Sequence, residues 1–360
     1  RNPIVTDTQH PSESDSATEL YGDFDFRLPR GFEVITQDAK LGPQILESLT
    51  EIENRLEQAV AQTSRIADVA SRHLLNAGGK RVRPLLTLLA AATGGEISDE
   101  VLDAAVVVEL THLATLYHDD VMDDAPKRRG VDTAQHIWGN SVAILTGDLI
   151  FARASGIVAD LGQRAMTIQV TTFERLVLGQ LFETTGPDTD EEILSHYIKV
   201  IEGKTGSLIA AAGLYGSSLS GAPESVVQML GRYGELVGVA FQLADDVIDV
   251  TGEGKVSGKT PGTDLREGIP TLPTILLDRQ AAAGDAEALR IQGIIRGDLS
   301  TDEALEEAVS ALSAHAVTQQ SWDIAYQWAD DAIAAIEPLP ESTAKEALKS
   351  FAHAVVHREA

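Results

Sequence analysis

Two acidic segments of the chain are near copies: Leu116-Tyr117-His118-Asp119-Asp120-Val121-Met122-Asp123 and Gln242-Leu243-Ala244-Asp245-Asp246-Val247-Ile248-Asp249. Each places aspartates at i, i+1 and i+4 inside an otherwise apolar run. On a helix, i and i+4 share a face, so Asp119/Asp123 and Asp245/Asp249 each make a carboxylate pincer. Carboxylates this close repel one another, and burial adds a desolvation cost. A chain that accepts this cost twice points to bound cations. Mg²⁺ suits the arrangement, because it is hard and takes one or two carboxylates together with phosphate oxygens. Acidic runs on helices are more often solvated faces. Here Leu113, Leu116, Val121 and Met122 surround the first set, and Val239, Phe241, Leu243, Val247 and Ile248 the second, which fits a cavity better.

Cations are few but clustered. Gly78-Gly79-Lys80-Arg81-Val82-Arg83-Pro84 precedes an apolar run. Its glycines allow close approach of backbone amides to an anion. Lys80 offers a point charge and Arg83 a planar fork for phosphate oxygens, while Pro84 suits the first turn of a helix. The spacing is not that of a Walker loop. Asp124-Ala125-Pro126-Lys127-Arg128-Arg129-Gly130 leaves the first acidic helix. Basic residues there satisfy the helix dipole in any case, but after three carboxylates they could complete a diphosphate site. His112 lies two turns before Asp119, and Lys204-Thr205 sits between glycines at the head of an Ala-rich helix; alone, each is a weak signal.

These segments must be carried by helices. Ile45, Leu49, Ile52 and Leu56 keep helical spacing, and Ala-rich runs at 85–92, 101–118, 141–160, 204–219, 225–250 and 303–335 continue it. Strand signals are nearly absent. The expectation is an all-α single domain over residues 34–360, behind an acidic, flexible tail at 1–33 in which Tyr21, Phe24 and Phe26 could dock. Thr251–Pro273, rich in glycine and proline, reads as a non-helical lid loop with Lys255, Lys259, Asp264 and Arg266. The chain has 360 residues, 43% of them hydrophobic, which is enough for a large core. The formal charge of −27 disfavours nucleic acid and anionic membrane as partners. No cysteine is present, which excludes disulfides and thiolate chemistry and fits a cytoplasmic location. Every long apolar stretch is interrupted, so no membrane span is expected.

In this order, Gly78–Pro84, Asp119–Asp123 with Arg128-Arg129-Gly130, Gly179-Gln180, Lys204-Thr205 and Phe241-Gln242 before Asp245–Asp249 resemble the trans-polyprenyl diphosphate synthases over roughly residues 42 to 358. The resemblance implies antiparallel helices around a deep central cavity, usually in a homodimer. It implies head-to-tail condensation of isopentenyl diphosphate onto an allylic diphosphate such as farnesyl or geranylgeranyl diphosphate. Carried over by motif, Asp119, Asp120, Asp123, Asp245, Asp246 and Asp249 would hold Mg²⁺, three ions per site, bridging the allylic diphosphate. Arg128 would touch that diphosphate; Lys80, Arg83, His112 and Arg129 would grip isopentenyl diphosphate. Lys204, Thr205 and Gln242 would lie near the ionising carbon, and Lys259 would close over the leaving group. Many relatives have lysine in place of Ile269, which leaves a second lid cation to Lys255, Lys259 or Arg266.

In this family, bulky residues one turn before the first acidic segment floor the cavity of short-chain enzymes. Here Ala114 and Thr115 stand there, with Thr111, Val108 and Val107 further back. The small face predicts a long product, above twenty carbons, released with transient membrane contact. The alternatives are a geranylgeranyl synthase, an accessory subunit of a heteromeric synthase, and a terpene cyclase. Intact aspartates weigh against the subunit, and the separate basic loop against the cyclase.

Overall fold

A computed structural model of the chain describes residues 28–251 and 261–357. Helices α1 (Leu41–Val60), α2 (Arg65–Asn76), α3 (Val82–Gly94) and α4 (Asp99–Met122) come first. Next is a small antiparallel hairpin, β1 (Lys127–Arg128) and β2 (Val131–Asp132). Then follow α5 (Ala134–Trp138), α6 (Asn140–Leu161), α7 (Gln163–Thr185) and α8 (Ile193–Ile201). A single π-helical turn, Glu202–Gly206, leads into α9 (Ser207–Leu219) and α10 (Glu224–Thr251). The remainder is α11 (Thr263–Glu267), α12 (Leu272–Ala282), α13 (Ala286–Ile295), α14 (Asp302–Ala314), α15 (Ala316–Ile336) and α16 (Thr343–Val356).

The all-α expectation holds. α4 packs on α3, α6 and α9, and α10 packs on α9 and α15. α4 is buried nearly all round from Ala104 to Thr111, as a helix apolar on every side must be. Its Ser98 N-cap accepts a hydrogen bond from the Val101 amide at 3.3 Å, a cap contributing about 1 kcal/mol. Leu110 and Leu113 are fully buried, and truncating either to alanine would cost about 2–5 kcal/mol.

The structure departs from the sequence reading in four places. The basic turn after α4 is a hairpin, with Arg129 (φ 54°) and Gly130 (φ 81°) both in the left-handed region that a tight two-residue turn requires. The glycine-rich stretch after α10 contains a short helix, α11, bounded by Gly262 and Gly268 at positive φ. The last residues of the expected tail are anchored: Phe32 is fully buried and stacks on Phe351 at 4.5 Å, while Arg30 and Glu33 stay exposed. Finally, α6 is long and apolar enough to cross a membrane by length and composition, although a third of its most apolar stretch is buried in the protein. Its inner side, with Ala143, Gly147, Ile150 and Ala154, packs into the core. Tyr21, Phe24, Phe26, Lys255 and Lys259 lie outside the described residues.

Candidate active site

The first acidic segment ends α4 and the second lies in the last turns of α10, so both sit at helix C-terminal ends. That placement is unfavourable for carboxylates, because the helix dipole presents negative charge there. Burial pushes the Asp119 carboxyl up to about 6; the Asp123 and Glu183 charges add to the rise, and Lys204 and Arg128 oppose it. A hard cation would relieve burial and repulsion together. Among the described residues, no three acidic or histidine side chains form a cage on their own. A cation here would need further oxygen ligands, as Mg²⁺ does when it binds phosphates.

The middle aspartates depart from the expectation that all six would face metal. Position i+1 lies about 100° round the helix from i. Asp120 is 1% exposed and accepts from Arg128 Nε at 2.8 Å and Nη2 at 2.6 Å. Its Oδ2 is buried without a hydrogen-bond partner. Asp246 accepts from the Tyr197 hydroxyl and, at 3.0 Å, from Gln242 Nε2. Burial raises its pKa to about 7, against those two hydrogen bonds. Both carboxylates are engaged by side chains of the protein itself, whereas Asp119, Asp123, Asp245 and Asp249 are the candidates for holding a metal. Asp249 is tied to the segment after α10, accepting from the Gly262 amide at 2.8 Å through its carbonyl and from the Asp264 amide at 3.2 Å through Oδ2.

The basic residues converge elsewhere. Lys80, Arg81, Arg83, His112 and Arg129 line a cavity of about 280 Å³ with Glu109, Thr205, Phe241 and Phe351. Arg81 begins α3 at φ 48° and is clamped by Glu53 of α1 at 2.6 and 2.8 Å. Its Nη1 donates to buried Glu109 at 3.1 Å. Arg129 donates to the carbonyls of Leu74, at 2.8 Å, and Gly78. The Arg83 Nε is buried with no partner, a donor waiting for an acceptor. Burial, and then the neighbouring Arg83 and Arg129 charges, hold His112 well below the usual imidazole range, so the ring is neutral near pH 7. Such a surplus of buried guanidinium groups fits a multiply charged anion. A larger groove of about 850 Å³ lies between α11 and α13, but its Arg266 and Arg296 are already paired with Asp302 and Asp278. Arg266 is thus turned from the role of lid cation.

The π-turn joins the two sites. It lets Gly203 lie against Gly179 of α7, where a Cβ on either would meet backbone atoms at 2.7–2.8 Å. Lys204 then pairs with Glu183 of α7, and its charge acts on Asp119. Thr205 lines the basic cavity and donates to Gln242 Oε1 at 3.3 Å. The chain Thr205–Gln242–Asp246 thereby links the basic cavity to the second acidic segment.

The two residues read as length-determining have different surroundings. Ala114 lies where α4 comes close to α6: a Cβ on Gly147 would lie 3.1 Å from the Ala114 carbonyl. Ala114 is 2% exposed. Thr115 is half-buried and donates to the His112 carbonyl at 2.7 Å. Sequence reasoning missed Glu109, Glu53, Glu183 and Tyr197. Glu109 carries a signal like that of the aspartates, a lone acid in the apolar run Val106–Leu113; the others do not stand out.

A family model described as Polyprenyl synthetase matches residues 64–312. The chain is 40% identical over 322 residues to the nonaprenyl diphosphate synthase of Mycobacterium tuberculosis, covering 89% of this chain and 95% of that one. It superposes with TM-score 0.79 on geranylgeranyl pyrophosphate synthase from Corynebacterium glutamicum, complexed with calcium and isoprenyl diphosphate, at 40% identity over 89% of this chain and 97% of that one. A decaprenyl diphosphate synthase from Rhodobacter capsulatus gives TM-score 0.78 at 33% identity, covering 88% of this chain and 98% of that one.

Proposed function

We infer from the chain's membership of the polyprenyl synthetase family that it is a prenyltransferase, a long-chain trans-polyprenyl diphosphate synthase. It condenses isopentenyl diphosphate with an allylic diphosphate. The observation that carries this reading is the pair of sites of opposite sign, one acidic and one basic, joined through Lys204, Thr205 and Gln242. A cyclase needs only the acidic one. The nonaprenyl and decaprenyl relatives support the long product. The Corynebacterium protein, named for a twenty-carbon product, keeps a short-chain reading in play as an outcome of the assay.

Lys80, Arg83 and Arg129 hold the isopentenyl diphosphate, and neutral His112 donates a hydrogen bond without adding charge. Mg²⁺, proposed as three ions per site and held by Asp119, Asp123, Asp245 and Asp249, supplies when bound the positive charge that a departing diphosphate needs. Arg128 and Lys204 present fixed cations to that same leaving group, an environment organised before the charge develops. Phe241 and the helix walls exclude water from the allylic cation. The isopentenyl double bond attacks this cation, and the proton then lost passes to the released diphosphate. No protein nucleophile takes part.

A homodimer is proposed on the outer faces of α6 and α7, where Leu145 is 64%, Val170 59% and Leu181 51% exposed. A row of large apolar side chains such as this marks a protein interface.

Protein incubated with Mg²⁺, isopentenyl diphosphate and farnesyl diphosphate is expected to give products above twenty carbons on chromatography after dephosphorylation. No elongated isoprenoid with any allylic primer would sink the reading; arrest at twenty carbons would favour the short-chain one.

A further inference from the structure

A polar bridge crosses the interior below the acidic rim, and the reaction described above leaves it unused. Thr111 of α4 is 0%, Gln169 of α7 4% and Tyr215 of α9 0% exposed. Gln169 Nε2 donates to Thr111 Oγ1 at 2.9 Å, and the Tyr215 hydroxyl donates to Gln169 Oε1 at 3.0 Å. The Thr111 hydroxyl itself donates to the Val107 carbonyl at 2.8 Å. Both α6 and α9 pack against α4 and against α7, so α4 and α7 face one another across a shared axis. Gln169 spans that axis.

The three residues meet at one depth. Thr111 is eight residues below Asp119, Gln169 ten below Gly179, and Tyr215 ten beyond Thr205, which is about 12–15 Å along each helix. Thr115, one turn above Thr111, is half-buried although α4 is enclosed by its neighbours, whereas Thr111 is shut off. Solvent access along this face of α4 therefore ends between Thr115 and Thr111.

We propose that Thr111, Gln169 and Tyr215 form a hydrogen-bonded gate across the path of the growing chain, and that Gln169 sets product length. A tail of three or four isoprene units reaches about this depth, so longer products must pass the gate. An amide on a flexible stem can swing aside between α4 and α7. The apolar area that each further unit buries offsets the loss of the bridge's hydrogen bonds.

The proposal rests on the elongation reading, and the test separates the two. Product lengths are compared for the parent protein, Gln169→Phe, Gln169→Ala and Thr111→Val, each checked for folding by circular dichroism. Gln169→Phe is expected to shift the main product down to four or five units, with addition of the first unit unchanged. Gln169→Ala, and more weakly Thr111→Val, are expected to deplete released four- and five-unit intermediates. Folded Gln169→Phe and Thr111→Val proteins that keep the parent's length distribution overturn the gate alone. A parent that adds no isopentenyl unit overturns the elongation reading and the gate with it.

Discussion

The two acidic segments share a residue pattern but not a support. In α4, Asp120 is gripped by the Arg128 guanidinium; in α10, Asp246 is held by neutral donors, the Tyr197 hydroxyl and the Gln242 amide. Burial pushes both carboxyls up, but only Asp120 has a cation hydrogen-bonded to it. The copied i and i+4 positions thus repeat one task, while the i+1 position divides it. Asp120 fastens the hairpin that carries Arg129 into the basic cavity. Asp246 fastens α8 and, through Gln242, Thr205 of the π-turn.

The largest test asks whether the pincers are equivalent. Asp119→Ala and Asp245→Ala are each expected to lose about 10²–10³-fold in kcat with the fold intact. A near-normal rate for either would leave metal binding to the other segment alone. The next test separates the supports. Arg128→Gln strands the buried Asp120 charge and is expected to cost about 2–4 kcal/mol in denaturant unfolding, discounted because Arg128 is partly exposed. Tyr197→Phe removes a neutral donor and is expected to cost about 1–2 kcal/mol. The reverse order would mean that Asp120 is protonated and indifferent to its guanidinium.

The smallest effect is in pH. Burial pushes the Asp119 and Asp246 carboxyls up to about 6 and about 7 in the folded chain, against about 4 unfolded. Each holds its proton more tightly when folded. The stability that follows is fully present below about pH 4 and is lost as pH rises through about 6 and 7. Metal-free protein is therefore expected to melt a few degrees lower at about pH 7.5 than at about pH 5, with Mg²⁺ recovering more Tm at the higher pH. A Mg²⁺ effect independent of pH would detach the metal from these carboxylates.

Much of this site was legible in the chain. The aspartates, Lys80, Arg83, Arg129 and Thr205 announce themselves as charge or hydroxyl among apolar residues and glycines. Helix periodicity placed the aspartates on helices because few strong breakers interrupt the apolar runs. The functional split between Asp119 and Asp120 was not legible, since it depends on Arg128 folding back from a hairpin whose left-handed turn includes a non-glycine residue. Nor was the close approach of α6 at Ala114, because it depends on a glycine 33 positions away, at Gly147. Glu109 was readable in principle: a single buried carboxylate among three arginines organises them, and a lone acid in an apolar helix is the sequence sign of it.

Phe351 lines the basic cavity and stacks on Phe32, so one wall of that cavity is made where α16 meets the segment before α1. During synthesis the cationic residues 80–129 leave the ribosome long before α16 does. Until that last helix docks, the Phe351 side of the cavity has no wall. A nascent chain stalled before Thr343 would carry Lys80, Arg81, Arg83 and Arg129 and still lack the Phe351 wall beside them.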